Sequence, residues 1–125
     1  MRLLLDTHVF IWSVMDSRQL KAATRRYLAS AEIVYVSAAS IWEIAIKTRI
    51  GKMTGDVEAF AAAIDASGFQ ELPITARHAA AVAKLPLHHP DPFDRLLIAQ
   101  AFLEPLRLVT ADKVLVAYGG AVEFI

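Results

Sequence analysis

The apolar positions of this chain fall into short runs separated by longer amphipathic stretches. Arg2-Leu3-Leu4-Leu5 ends in Asp6-Thr7, which predicts a buried strand delivering an acid at its carboxyl end, then a helix over 8–14. Asp16 or Ser17 is the expected cap of a helix over 18–30, with Leu20, Ala23, Tyr27 and Leu28 inward and Arg18, Lys21 and Arg25 on another face. A β-branched run over 33–36 predicts a second strand, with Ser37 capping the next helix. That helix, over 38–50, places Ile41, Ala45 and Thr48 on one face with Ile44 near it. Ser40, Glu43 and Lys47 share the opposite side, at spacings of three and four.

Gly51 ends that helix, and Asp56 starts another whose Val57, Phe60, Ala61 and Ile64 face inward until Gly68 stops it. A short strand over 69–74 carries Pro73, the mark of an end or an edge. Thr75 caps a helix over 76–85, which Pro86 breaks. In the stretch after His88-His89-Pro90, Asp91 is a good N-cap and Pro92 fits the first helical position, where its missing N–H costs nothing. Asp94 falls in the first turn, where free N–H groups favour a carboxylate. Residues 96–101 are apolar except Gln100, so the body of this helix belongs in a core. A strand over 106–109 leads to Thr110-Ala111-Asp112, a short helix to Tyr118, the Gly119-Gly120 turn and a last strand over 122–125.

Strands alternating with helices predict an α/β domain with a central, mostly parallel sheet wrapped on both faces. Ligands of such sheets sit beyond the carboxyl ends of the strands, where Asp6 and Asp112 both fall. The length of 125 residues fits one domain over 1–125. The apolar fraction of 56% and mean hydropathy of +0.43 are high, and point to a generous core or a surface covered by a partner. No apolar run approaches the ~20 residues that span a bilayer. Asp6 and His8 interrupt the 3–5 run before it could serve as a signal peptide. With no cysteine, disulfides and thiolate metal sites are excluded, and the cytoplasm is the expected home. Thirteen basic and thirteen acidic residues cancel, which argues against holding nucleic acid by bulk charge and leaves only local charge for that task.

Asp6, Glu43, Asp94 and Asp112 each interrupt or end an apolar segment, where a charge must reach water or find a partner. Each has an ordinary explanation taken singly. Asp6 ends a strand, Glu43 can pair with Lys47 for ~0.5 kcal/mol, Asp94 complements a helix dipole and Asp112 caps the helix after Thr110. Four such placements together point to a metal site. Converging carboxylates raise one another's pKa values unless a cation neutralises them, and all-oxygen ligation suits Mg²⁺ or Mn²⁺.

Four segments in order carry a resemblance: Leu3-Leu4-Leu5-Asp6-Thr7-His8, Ser40-Ile41-Trp42-Glu43-Ile44, Asp91-Pro92-Phe93-Asp94-Arg95-Leu96-Leu97-Ile98-Ala99-Gln100-Ala101 and Val109-Thr110-Ala111-Asp112. The chain resembles a PIN-domain nuclease over essentially its whole length, and within that family the VapC-like toxins of bacterial type II toxin–antitoxin pairs. The resemblance implies a three-layer α/β/α fold and Mg²⁺- or Mn²⁺-dependent endoribonuclease activity, with a homodimer and a VapB-like antitoxin seated in the active-site groove. It assigns the acidic set to Asp6, Glu43, Asp94 and Asp112, as metal ligands that activate a water for hydrolysis, and matches Thr110 to the hydroxyl beside the last acid.

Thr110, Asp91 and Arg95 are auxiliary. The family motif carries an acid at Asp91, but local physics assigns Asp91 to capping first. Arg95 is expected to salt-bridge within the cluster. The four histidines show no metal-ligand spacing and are expected in structural or solvent roles, and Trp12 and Trp42 in core or dimer contacts. Two rival functions remain. A phosphatase using Asp6 as nucleophile would need an acid at position 8, which is His8, and a catalytically idle binding module would keep the fold alone.

Overall fold

Leu3 and Leu5 pack into one apolar cluster and Leu4 into another, and all three are fully buried, so the central sheet has a core on each face. The computed structural model describes all residues from Met1 to Ile125. Strand β1 (Arg2–Leu5) lies between β2 (Ile33–Ser37) and β4 (Arg107–Thr110), with β3 (Gln70–Leu72) and β5 (Val122–Phe124) at the edges. The order is β3-β2-β1-β4-β5 and every pairing is parallel, as βαβ connections require. Leu5 is in register with Val36 on one side and Val109 on the other. β3 is an edge strand, which is where Pro73 at its end is tolerated.

Helices α1 (Thr7–Val14), α2 (Ala22–Ala29) and α4 (Val57–Ala66) cover one face through Val9, Phe10, Leu28, Phe60 and Ile64. Helix α3 (Ala38–Arg49) adds Ile44 to that layer and Ala39 to the other. Helix α6 (Pro92–Leu103) covers the opposite face with Leu96, Leu97, Ile98 and Ala101, and α5 (Ala76–Ala81) packs against it. This is the expected three-layer α/β/α arrangement. No helix is long and apolar enough to cross a membrane.

The departures from expectation have local causes. Asp16 takes a positive φ of 52° and its carboxylate pairs with Arg25, so the chain turns once more before α2 begins at Ala22. Ala23 and Ala61 are exposed, and Thr24 takes the buried place expected of Ala23. The expected helix over 76–85 tightens into a 3-10 turn at Val82–Lys84, and the segment Lys113–Tyr118 is 3-10 throughout. Helix α3 ends as expected: Gly51, at φ 80°, lets Lys52 donate to the Lys47 carbonyl and Gly51 to that of Thr48.

His78 is a structural residue, as expected. Its Nδ1 accepts from the Thr75 N–H, so Nε2 carries the proton and donates to Glu104 Oε2 at 2.6 Å. The contact ties the start of α5 to the end of α6.

Candidate metal centre

The strand order reverses direction at β1, which sends its connection toward β2 while β4 sends its own toward β5. The crevice beyond the carboxyl ends of β1 and β4 is therefore the switch point of the sheet, where an open α/β fold holds ligands. Asp6 leaves β1 there, and its N–H donates to Val109 O of β4 at 3.0 Å. Its carboxylate is fixed twice: Oδ1 caps α1 by accepting from Val9 N, and Oδ2 accepts the Thr110 hydroxyl. Asp6 is only 4% exposed, and burial pushes its carboxyl pKa upward against these hydrogen bonds. Thr110 also accepts from Asp112 N at 3.0 Å, so one hydroxyl links the first acid to the backbone of the last.

Glu43 comes from α3, on the side it was expected to share with Ser40 and Lys47. The buried residues of that helix are Ala39, Ser40, Glu43 and Ile44, so its polar side turns inward toward the crevice. Thr7 donates to Glu43 Oε1 at 2.6 Å and lies 3.0 Å from Ser40 Oγ, while Lys47 pairs with Oε2 at 2.7 Å. Trp42 is not a core residue. It is 56% exposed and stands edge-on to Phe93, with ring centroids 5.0 Å apart.

Asp94 is the third residue of α6, where Asp91 caps the helix by accepting from the N–H groups of Phe93 and Asp94. Capping is thus the role in which the structure places Asp91. Burial and the neighbouring Asp91, with smaller contributions from Asp6 and Glu43, push the Asp94 carboxyl up to about 6. The acids therefore feel one another across the crevice, as an un-neutralised cluster must. Asp112 caps the following 3-10 turn through Oδ1 and turns Oδ2 toward the cluster.

The residue that the sequence pattern missed is His89. Its Nε2 lies 2.8 Å from Asp94 Oδ2 and 3.7 Å from Asp112 Oδ2. His89, Asp94 and Asp112 are the only three such side chains whose ligand atoms all lie within 4.8 Å of one another. Asp6 and Glu43 stand further back, each held by hydroxyl or ammonium donors. Position 89 directly precedes the capping motif, and that proximity was the one available signal.

Arg95 does not salt-bridge within the cluster. Its guanidinium donates to the carbonyls of Pro86 at 3.1 Å and Val82 at 3.1 Å and to Tyr118 Oη at 3.3 Å. It pins the loop that carries His88 and His89 rather than neutralising acids. Beside Glu43, Thr7, His8, Ile11, Ile44, Lys47, Lys52 and Met53 line a cleft, so the nearest positive charge borders the acids on one side.

An acidic crevice thus lies at the switch point of a parallel sheet, with the hydroxyls of Thr110 and Thr7 aiming the carboxylates of Asp6 and Glu43. The donor set of carboxylates plus one imidazole suits a divalent ion. The PIN domain family matches residues 3–121, and the chain belongs to it; membership places it among nucleases, hydrolases acting on nucleic acid. No curated protein matches the chain. Its fold is similar to that of a chain in VapBC2 from Rickettsia felis bound to a promoter DNA fragment, at 16% identity and TM-score 0.71, covering 99% of this chain and 98% of that one. It is also similar to a chain of FitAcB from Neisseria gonorrhoeae, at 22% identity and TM-score 0.69, covering 100% and 97%. A third similar chain belongs to VapBC-5 from Mycobacterium tuberculosis, at 24% identity and TM-score 0.62, covering 99% and 97%.

Proposed function

We propose that this chain is a metal-dependent endoribonuclease, the VapC-like toxin of a toxin–antitoxin pair, acting in the cytoplasm with Mg²⁺ or Mn²⁺ held by Asp6, Glu43, Asp94 and Asp112. The observation that carries the reading is the convergence of those acids on the switch point of a PIN fold, where burial and then the neighbouring acids raise Asp94 to about 6. A divalent ion bound there would neutralise the acids and supply the Lewis acidity that phosphodiester hydrolysis needs.

The chain's own side chains prepare that chemistry. Thr110 and the Val9 N–H fix both oxygens of Asp6, and Thr7 fixes one oxygen of Glu43. Lys47 balances Glu43 and, with Lys52, lines the cleft along which a phosphate backbone can approach. Arg95 keeps the loop before α6 in place.

The partner in this reading is a VapB-like antitoxin, and the toxin is a homodimer. Support comes from the toxin–antitoxin complexes among the similar structures and from an apolar stripe on α3. Trp42, Ile46 and Ile50 recur every four residues and are 56%, 37% and 58% exposed, more apolar surface than one small helix usually shows to water. A monodisperse monomer by light scattering, soluble without a partner, would count against the assembly.

The direct test is cleavage of a pool of structured and single-stranded RNAs with Mn²⁺, Mg²⁺ or EDTA, beside Asp94→Asn protein. Cleavage that needs metal and disappears in the variant is expected. No cleavage by folded, metal-loaded protein free of antitoxin would favour the idle binding module, and activity surviving both EDTA and the substitution would place the chemistry elsewhere.

A further inference from the structure

His89 belongs to no assigned acid set, yet it makes the closest approach to two of its members. Its Nε2 points into the crevice, 2.8 Å from Asp94 Oδ2 and 3.7 Å from Asp112 Oδ2, and its Nδ1 makes no protein hydrogen bond. In an octahedral shell with bonds of about 2.1–2.2 Å, neighbouring ligand atoms stand about 3 Å apart. The two measured separations bracket that edge length. Asp94 Oδ1 makes no protein hydrogen bond either, so Asp94 can bridge from His89 toward the acids behind it.

Resting on the proposed function, we infer that His89 is a direct nitrogen ligand, and that the ion shared by His89, Asp94 and Asp112 is Mn²⁺ in preference to Mg²⁺. Mg²⁺ demands oxygen donors and sheds water reluctantly, whereas a first-row transition ion accepts imidazole beside carboxylates. Ligation uses the unprotonated Nε2, so the ring proton sits on Nδ1, which makes no protein hydrogen bond and is left to donate to water. The loop brings this nitrogen to the site because Arg95 holds the carbonyls of Val82 and Pro86 and so fixes the approach of the chain to Asp91.

The experiment is Mn²⁺ and Mg²⁺ titration calorimetry on untagged protein, with electron spin-echo modulation of the Mn²⁺-loaded form, for wild type, His89→Gln, His8→Gln and His88→Gln. Wild type should bind Mn²⁺ at least about tenfold more tightly than Mg²⁺ and show coupling to a nitrogen. His89→Gln should lose about tenfold or more in Mn²⁺ affinity, change little toward Mg²⁺ and lose the coupling. His8→Gln, whose ring lies against Trp12, should keep it. His88→Gln, whose ring lies against Tyr118, should also keep the coupling, and both ring nitrogens of His78 are engaged by Thr75 and Glu104, so His89 remains the one source even if His89→Gln folds poorly.

Equal losses toward both ions, or a wild-type spectrum without nitrogen coupling, would overturn direct ligation and leave His89 orienting Asp94. If that spectrum comes from protein that cleaves RNA with metal, the inference fails and the proposed function stands. If wild type binds neither ion, both fail together.

Discussion

Thr7 donates its hydroxyl to Glu43 Oε1 at 2.6 Å, so the residue following the first acid aims the second. The two lie on different elements, α1 and α3, and both are buried. A buried carboxylate that loses a donor keeps its desolvation penalty, and hydrogen bonds to charged groups contribute about 1.5–3 kcal/mol. Thr7→Val, nearly the same shape, should therefore lower both thermal stability and divalent-ion affinity, the latter about tenfold as for other groups that orient ligands. Thr7→Ser should restore both. Calorimetric titration of the two variants checks this, and an unchanged affinity in Thr7→Val would leave Thr7 a purely structural residue.

Asp6 carries a charge that burial makes costly. It is 4% exposed and its carboxyl pKa is raised, chiefly by burial. A raised folded-state pKa means the fold holds the proton more tightly than the unfolded chain does. Stability is then lost as the pH rises from the unfolded value through the folded one, and above it the ionised form burdens the fold throughout. Asp6→Asn removes that charge, and its amide can still accept from Val9 N and face Thr110. In metal-free protein the substitution should raise the melting temperature at neutral pH by several degrees, at about 4 °C per kcal/mol. The gain should shrink as the pH falls through the carboxylate range, and a lower melting temperature at neutral pH would show that the acids do not burden the fold.

Much of this site could be read from the chain because its signals are local. Asp91 and Pro92 announce the start of α6, and Asp6 and Asp112 each follow an apolar strand. Glu43 was legible as a candidate, and so was the side it shares with Ser40 and Lys47, but not that this side turns inward. The periodicity of α3 set Ser40, Glu43 and Lys47 together, while the burial of Ser40 and Glu43 depends on Thr7, which α1 brings from a distant part of the chain. Arg95 could not be read, since its partners are backbone carbonyls and no side-chain pattern records them. His89 escaped for a similar reason. Its approach to Asp94 depends on how the loop after Pro86 lies across the sheet edge, and no fixed spacing encodes that path.

Asp94 gives the centre its pH dependence. Its carboxyl is pushed up to about 6 from an ordinary value near 3.9, with burial the largest cause and Asp91 the next. Between about pH 4 and pH 6 the folded, metal-free protein binds more protons than the unfolded chain. Its stability should fall as the pH rises through that window, by up to roughly 3 kcal/mol, and then level off. A divalent ion reverses the balance by competing with the proton, so metal affinity should weaken below about pH 6 and binding at pH 5.5 should release protons into the buffer. Titration in two buffers of different ionisation enthalpy measures the release, and Asp94→Asn should reduce it, with the raised Asp6 carboxyl supplying a remainder. Equal apparent heats in both buffers for wild type would remove Asp94 as the proton-linked ligand.

Arg95 and the acids can be separated experimentally. Arg95→Met keeps the apolar stem but abandons three backbone and hydroxyl acceptors at Pro86, Val82 and Tyr118. The loop before α6 should loosen, with faster amide exchange over residues 82–90. The loss of stability should be modest, about 1–2 kcal/mol, because the guanidinium is partly solvated. RNA affinity measured without metal should not acquire a new salt dependence, since Arg95 is committed to carbonyls. A drop in the number of salt-sensitive contacts would instead make it a phosphate ligand.

Asp91 lies beside the acids but is occupied with the helix. Its Oδ1 accepts from both Phe93 N and Asp94 N, at 2.9 and 3.0 Å. Asparagine caps a helix about as well as aspartate, whereas alanine costs about 1 kcal/mol. Asp91→Ala should therefore lower the melting temperature by about 4 °C, while Asp91→Asn should leave it unchanged or slightly higher, because it removes a negative charge next to Asp94. Removing that charge should also lower the Asp94 pKa toward its ordinary value, so the pH window of metal release should move down in Asp91→Asn. Both variants should still bind the ion and cleave RNA. If Asp91→Asn folds normally yet fails to bind metal, Asp91 is a ligand, and its place at the head of α6 serves the ion before it serves the helix.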